Sequence, residues 1–241
     1  MPMNESTRHV DLLRAFAKSA CPICALVLRD MQQDMDTLML ERINKVETHL
    51  MFRAGRGLCN AHAWGVMRAK GGSLGIAVMY ESTLLSLMKD VAKVKPMGTA
   101  SGFRRFLGGG KSVGDSAANQ LEPTGDCLLC TLMNKNESSY VNIVAENVHD
   151  SQLQQAYRDS DGGVCLPHSR MVIRLLKNPD DIHTLMDIQT AKWHELQAEL
   201  QLFIQENEDN VPQSEMGKEG DSWQRAIRYL SGEKDVFGYR R

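Results

Sequence analysis

The feature that most constrains this chain is a pattern of three cysteines and one histidine that occurs twice. Both copies read C-x2-C-x34-C-x2-H, and each position of the second copy lies 106 residues after its equivalent in the first. The first copy contains Cys21, Cys24, Cys59 and His62, and the second contains Cys127, Cys130, Cys165 and His168. If the spacing had no function, insertions and deletions would have changed it independently in the two copies. The two identical gaps therefore predict that these side chains act together.

The residue types indicate metal binding. Two close pairs of cysteine and histidine ligands match the four-ligand tetrahedral sites of structural zinc. We predict one Cys3His site within each copy, so that each copy is stapled by its own ion and the chain holds two zinc ions. A 4Fe-4S cluster is the alternative, because thiolates hold such clusters and histidine can replace a cysteine in some of them.

Two other cysteine chemistries are disfavoured. The segment Cys21-Pro22-Ile23-Cys24 resembles a glutaredoxin-type dithiol, but that motif is expected after a β-strand, and the residues before it have helical periodicity. The second copy also lacks the proline. Disulfides are disfavoured because each half has an odd number of cysteines and the first 20 residues lack an export-type apolar block.

Apolar residues recur three or four positions apart along most of the chain, which predicts an all-α protein. In the first copy, residues 25–54 contain neither proline nor glycine and predict one long helix. A shorter helix begins at Cys59, and a third ends near Lys93. In the second copy the pattern allows a break near Asp150, and Pro179 begins the last long helix.

The duplication predicts two tandem helical units that form one bundle-like body. Glycine, proline and small polar residues between the copies are typical of a linker. The predicted divisions are a first unit at 1–95, a Gly-rich linker at 96–125, a second unit at 126–207, and a second linker with a short C-terminal helix at 208–241. An N-cap at Asp221 would begin that helix.

Charge, apolar runs and motifs together disfavour several classes of function. A net charge of -2 disfavours nucleic-acid binding. The sequence has no apolar run long enough to span a membrane, and the absence of a signal block predicts a cytoplasmic protein. No phosphate-binding loop or nucleophile elbow occurs. The ligand sets favour a non-catalytic role over an enzyme, and no small-molecule substrate is indicated.

The preferred function is therefore a zinc-stabilised scaffold or adaptor. Aromatic and basic residues in the linker, at Phe103–Phe106, and in the tail, at Trp223–Tyr229, are the predicted contacts with a protein partner. The alternative is an iron–sulfur redox protein that passes electrons to an enzyme partner. The paired C-x-x-C and G-x-C-x-x-H motifs, with the Gly-Asp-Ser-Trp tail, resemble an uncharacterised family of prokaryotic proteins. The resemblance implies no activity.

Overall fold

A computed structural model describes residues 5–18, 21–69, 72–93 and 113–237. Every regular element in these ranges is a helix, and none of the described residues forms a β-strand. The predicted all-α class is confirmed. Within the same ranges, none of the helices combines the length and the apolar character needed to cross a membrane.

The helices of the two halves follow each other in the same order. The first half contains α1 (Glu5–Phe16), α2 (Pro22–Thr37), a π-helical turn (Leu38–Arg42), α3 (Val46–Ala54), α4 (Asn60–Val66) and α5 (Gly72–Lys93). The second half contains α6 (Val113–Leu121), α7 (Leu128–Glu146), α8 (Ser151–Asp159), α9 (Leu166–Leu175) and α10 (Pro179–Glu208), then a 3-10 turn (Lys218–Asp221) and α11 (Ser222–Ser231). Each of α2 to α5 starts about 106 positions before its equivalent among α7 to α10.

The chain divides into two compact units, and each unit combines parts of both copies. Unit 1 consists of Met1–Asp30 and Met133–Arg241, and unit 2 consists of Met31–Leu132. In unit 1, α8 packs against α1 and α10, and α11 packs against α9 and α10. In unit 2, α5 packs against α3, α6 and the π-helical turn. The boundary between the units falls inside α2 and again inside α7.

These units differ from the divisions predicted at 1–95 and 126–207. The reason is that the helix before each C-x2-C pair packs against helices of the other copy, α1 against α8 and α6 against α5. Within the predicted linker at 96–125, residues Val113–Leu121 form helix α6. The linker residues before α6 lie outside the described ranges, as does the predicted contact at Phe103–Phe106.

The prediction of one long helix over residues 25–54 is wrong. The π-helical turn follows α2, and Lys45 takes an extended conformation (φ -81°, ψ 129°) before α3 begins. The break lets α3 bury Phe52, whose ring meets that of Tyr80 edge-on with 5.0 Å between centroids. Tertiary packing thus overrides a helical pattern that contains no glycine or proline. The predicted break near Asp150 is confirmed, and its carboxylate caps α8 by accepting from the Gln152 N–H at 2.8 Å.

The core of unit 1 contains a buried polar contact between α2 and α7. The Tyr140 hydroxyl donates to Asp30 at 2.7 Å, and Arg29 donates to the same carboxylate. Tyr140 is fully buried, so this hydrogen bond fixes the pairing of the two helices. The rings of Phe16 and Tyr157 stack nearby in the same unit, 5.2 Å apart.

Candidate metal centres

All eight predicted ligands lie at the starts of four helices. Cys21 and Cys127 directly precede α2 and α7, and Cys59 and Cys165 are the N-cap residues of α4 and α9. The second ligand of each pair comes three residues later, in the first helical turn. Unsatisfied N–H groups at a helix N-terminus favour negative charge. Each pair is therefore held where a thiolate is stabilised.

A glycine precedes each C-x2-H pair by two residues because the backbone turns sharply there. Gly57 has φ +100° and Gly163 has φ +57°, a conformation that other residues rarely adopt. A Cβ atom on Gly57 would approach the Tyr80 ring to 3.2 Å, and one on Gly163 would approach the Tyr229 hydroxyl to 3.1 Å. The glycine in the G-x-C-x-x-H motif thus provides the turn that directs the cysteine and histidine inward.

The structure brings the eight ligands together in two groups of four, but not in the predicted groups. Quartet A consists of Cys21, Cys24, Cys165 and His168, and quartet B consists of Cys59, His62, Cys127 and Cys130. The prediction that each copy holds its own ion is therefore corrected, because each quartet joins the C-x2-C pair of one copy to the C-x2-H pair of the other. Quartet A lies in unit 1 and quartet B lies in unit 2.

In quartet A the histidine faces the sulfur atoms through Nδ1. The distances from His168 Nδ1 to the Sγ atoms of Cys21, Cys24 and Cys165 are 3.5, 3.4 and 3.3 Å. The sulfurs of Cys24 and Cys165 are 3.7 Å apart. All four ligands are at least nine-tenths buried.

Quartet B has the same arrangement. His62 Nδ1 lies 3.2, 3.6 and 3.4 Å from the Sγ atoms of Cys59, Cys127 and Cys130. The sulfurs of Cys59 and Cys130 are 3.6 Å apart. Its three cysteines are only half-buried, whereas those of quartet A are fully enclosed. Solvent therefore reaches the thiols of quartet B more readily.

These distances fit one tetrahedral ion in each quartet. With bonds of about 2.3 Å to sulfur and about 2.0 Å to nitrogen, a tetrahedron places sulfurs about 3.8 Å apart and nitrogen about 3.5 Å from sulfur. The ligand atoms of each quartet all lie within 4.8 Å of one another. The residues present can therefore hold a metal ion at both positions.

The ionisation of quartet A also favours a cation. Burial raises the pKa of Cys21, but contacts with Cys165, Cys24 and His168 outweigh it and hold that pKa well below its ordinary value. Contacts with Cys165 and Cys21 raise the pKa of Cys24, because a second negative charge is disfavoured beside the first. All three thiols of quartet A would ionise together only with a positive ion among them.

The sequence did not reveal a carboxylate that orients His168. Its Nε2 lies 3.2 Å from Glu137 Oε1, and the Glu137 side chain is 2% exposed. Burial alone would lower the pKa of His168, but Cys165, Cys21 and Glu137 together raise it to about 11. A carboxylate on the second nitrogen fixes the tautomer that binds metal through Nδ1. The residue 106 positions before Glu137 is Met31, so the repeat offered no signal for this role.

The C-terminal segment closes over quartet A, which the sequence also did not reveal. The Glu233 N–H donates to Cys24 Sγ at 3.5 Å. The Phe237 ring lies 4.8 Å from the His168 ring, and Val236 beside it is 1% exposed. The segment after α11 thus excludes water from the first quartet.

Replacement of Glu137 by glutamine should weaken one metal site only. Glutamine keeps the shape and can still accept from Nε2–H, but it removes the negative charge that strengthens His168 as a ligand. We expect the affinity of quartet A for zinc to fall about 10- to 100-fold, with quartet B unchanged. Competition titrations against a chromophoric chelator would measure both sites.

The matched control is Glu146→Gln, an exposed glutamate on the same helix. It should leave both affinities at their original values. Equal weakening of the two sites by Glu137→Gln, or no change in either, would contradict the role given to Glu137.

Comparison with known proteins gives a family but no described relative. Neither the curated proteins nor the solved structures include a match to the chain. A family model matches residues 3–236, which is nearly the whole sequence. The resemblance to an uncharacterised family is thereby confirmed. The chain belongs to a family of unknown function (DUF6062).

Proposed function

We propose that this protein is a zinc-binding scaffold or adaptor without catalytic activity of its own. The observation that carries the proposal is the presence of two complete Cys3His quartets with distances suited to single ions. Four protein ligands close the coordination of a zinc ion and leave no position for a substrate, which is typical of structural sites. Because the thiolates must stay reduced, a cytoplasmic location suits such sites.

The distances favour a single ion over the iron–sulfur alternative. A 4Fe-4S cluster is held by cysteines that bind different iron atoms, so its ligands lie farther apart than those of one ion. In each quartet all the ligand atoms are within 4.8 Å. Thiolate and imidazole ligands in tetrahedral geometry are the set that zinc prefers.

A scaffold role follows from what the ions would connect. Quartet A joins residues 141 positions apart, Cys24 and Cys165, and quartet B joins Cys59 to Cys130 over 71 positions. Cross-links between such distant segments restrict the unfolded chain and stabilise the folded one. Each ion thereby holds the N-termini of two helices together within its unit.

The tail offers a surface for the protein partner that an adaptor needs. On α11, Trp223, Ile227 and Leu230 follow one another at helical spacing and are 44%, 58% and 59% exposed. Tyr229, within the predicted contact segment, is 4% exposed and donates to the Asp161 carbonyl at 3.2 Å. We therefore assign the partner contact to the Trp223, Ile227 and Leu230 face, and Tyr229 to the core.

Metal analysis of purified protein tests the first part of the proposal. Protein isolated under anaerobic conditions should be colourless and contain about two zinc ions per chain, because each closed site binds one ion. Broad visible absorption together with stoichiometric iron would contradict zinc binding and support a cluster.

A variant of α11 tests the adaptor role. Ile227→Lys places a charge in the middle of the exposed face and should abolish binding of a co-purifying partner while zinc content stays the same. Gln224→Lys, also exposed on α11, is the matched control and should retain the partner. Binding that survives Ile227→Lys would rule out this face as the contact.

A further inference from the structure

Helix α5 exposes an apolar face along its whole length. Its buried side, formed by Gly72, Gly75, Met79 and Thr83, faces the rest of unit 2. The opposite side carries six large apolar side chains that are between 43% and 76% exposed: Leu74, Val78, Leu84, Leu85, Met88 and Val91. An apolar patch of this kind, on the order of 500 Å², marks an interaction site on a soluble protein.

The equivalent helix of the second copy shows that the fold itself does not require this face. Residues 106 positions later on α10 are Asp180, Thr184, Thr190, Ala191, His194 and Gln197. These side chains are exposed or half-exposed, and all but Ala191 are polar. The buried sides do correspond, since Met79 and Leu185 are both buried, as are Thr83 and Gln189. The apolar outward face of α5 is therefore not shared by its equivalent helix α10.

The spacing of the face fits another helix. Leu74, Val78, Leu85 and Met88 follow the alternating intervals of four and three residues that form the seam of a coiled coil, with Glu81 at the remaining position between them. The helix has 22 residues, about six turns. A surface of this length and period packs best against a second helix with the same pattern.

We propose that α5 pairs in an antiparallel orientation with α5 of a second copy of this chain. Two such faces together bury about 1,000 Å², the minimum expected of a specific interface between proteins. The charges favour this partner and orientation. In a parallel pair Glu81 would face the partner's Glu81, and the two negative charges would repel each other. In an antiparallel pair Glu81 instead faces the partner's Leu85 and lies close to the partner's Lys89. In a two-fold symmetric pair, each Glu81 thus lies beside a Lys89 of the other chain.

The mass of the zinc-loaded full-length protein in solution tests this pairing. Sedimentation or light scattering should give about twice the chain mass of 27.0 kDa. Leu85→Glu should raise the dissociation constant of the dimer by about tenfold or more, since it sets a carboxylate against the partner's Glu81. Zinc content should remain unchanged, because Leu85 is exposed within the chain and the quartets do not include it.

Two further comparisons make the test specific. Ala191→Glu, the equivalent change on α10, should leave the dimer intact. Glu81→Lys and Lys89→Glu should each weaken it, and the double exchange should restore it. A monomeric wild-type protein, or a dimer that survives Leu85→Glu, would overturn the proposal. Failure of the double exchange to restore the dimer would overturn the antiparallel orientation.

Discussion

The structure depends on the close approach of four cysteine and histidine side chains in each of two quartets, either of which could hold a metal ion. Quartets A and B bring together helix N-termini that are far apart in the sequence. Thiolates gathered this closely repel one another unless a cation lies among them. Under the proposed function, the positions of α2, α4, α7 and α9 follow from metal coordination as well as from the packing of apolar side chains. Since each quartet crosses between the copies, neither copy completes a site by itself.

The sequence allowed the candidate ligands to be named but not how they are grouped in space. The duplicated spacing named all eight side chains, and the proline, glycine and cysteine positions located the helices that carry them. Both pairings, within a copy and across copies, supply three sulfurs and one nitrogen to each ion. The choice between them depends on α1 packing against α8 and α6 against α5, and these contacts between distant segments leave no trace in the local pattern.

Two other features were missed at the level of the sequence. The end of α2 has no glycine or proline, so the local pattern alone did not indicate the break before α3, beyond which Phe52 packs against Tyr80. The break at Asp150 was visible because an aspartate can cap a helix. That break lies at the position equivalent to residue 44 of the first copy, so the repeat contained a signal for both. The sequence contained no signal for the role of Glu137, since that role requires His168 to lie beside it in space.

The crossed pairing is the central claim, and metal content of two double variants tests it most directly. Cys21→Ser combined with Cys165→Ser removes two ligands of quartet A, so the protein should retain one zinc ion after a chelator wash. Cys21→Ser combined with Cys59→Ser removes one ligand from each quartet, and the protein should retain none, because a closed site needs all four ligands. The reverse result, one ion in the second variant and none in the first, would contradict the account and restore pairing within each copy.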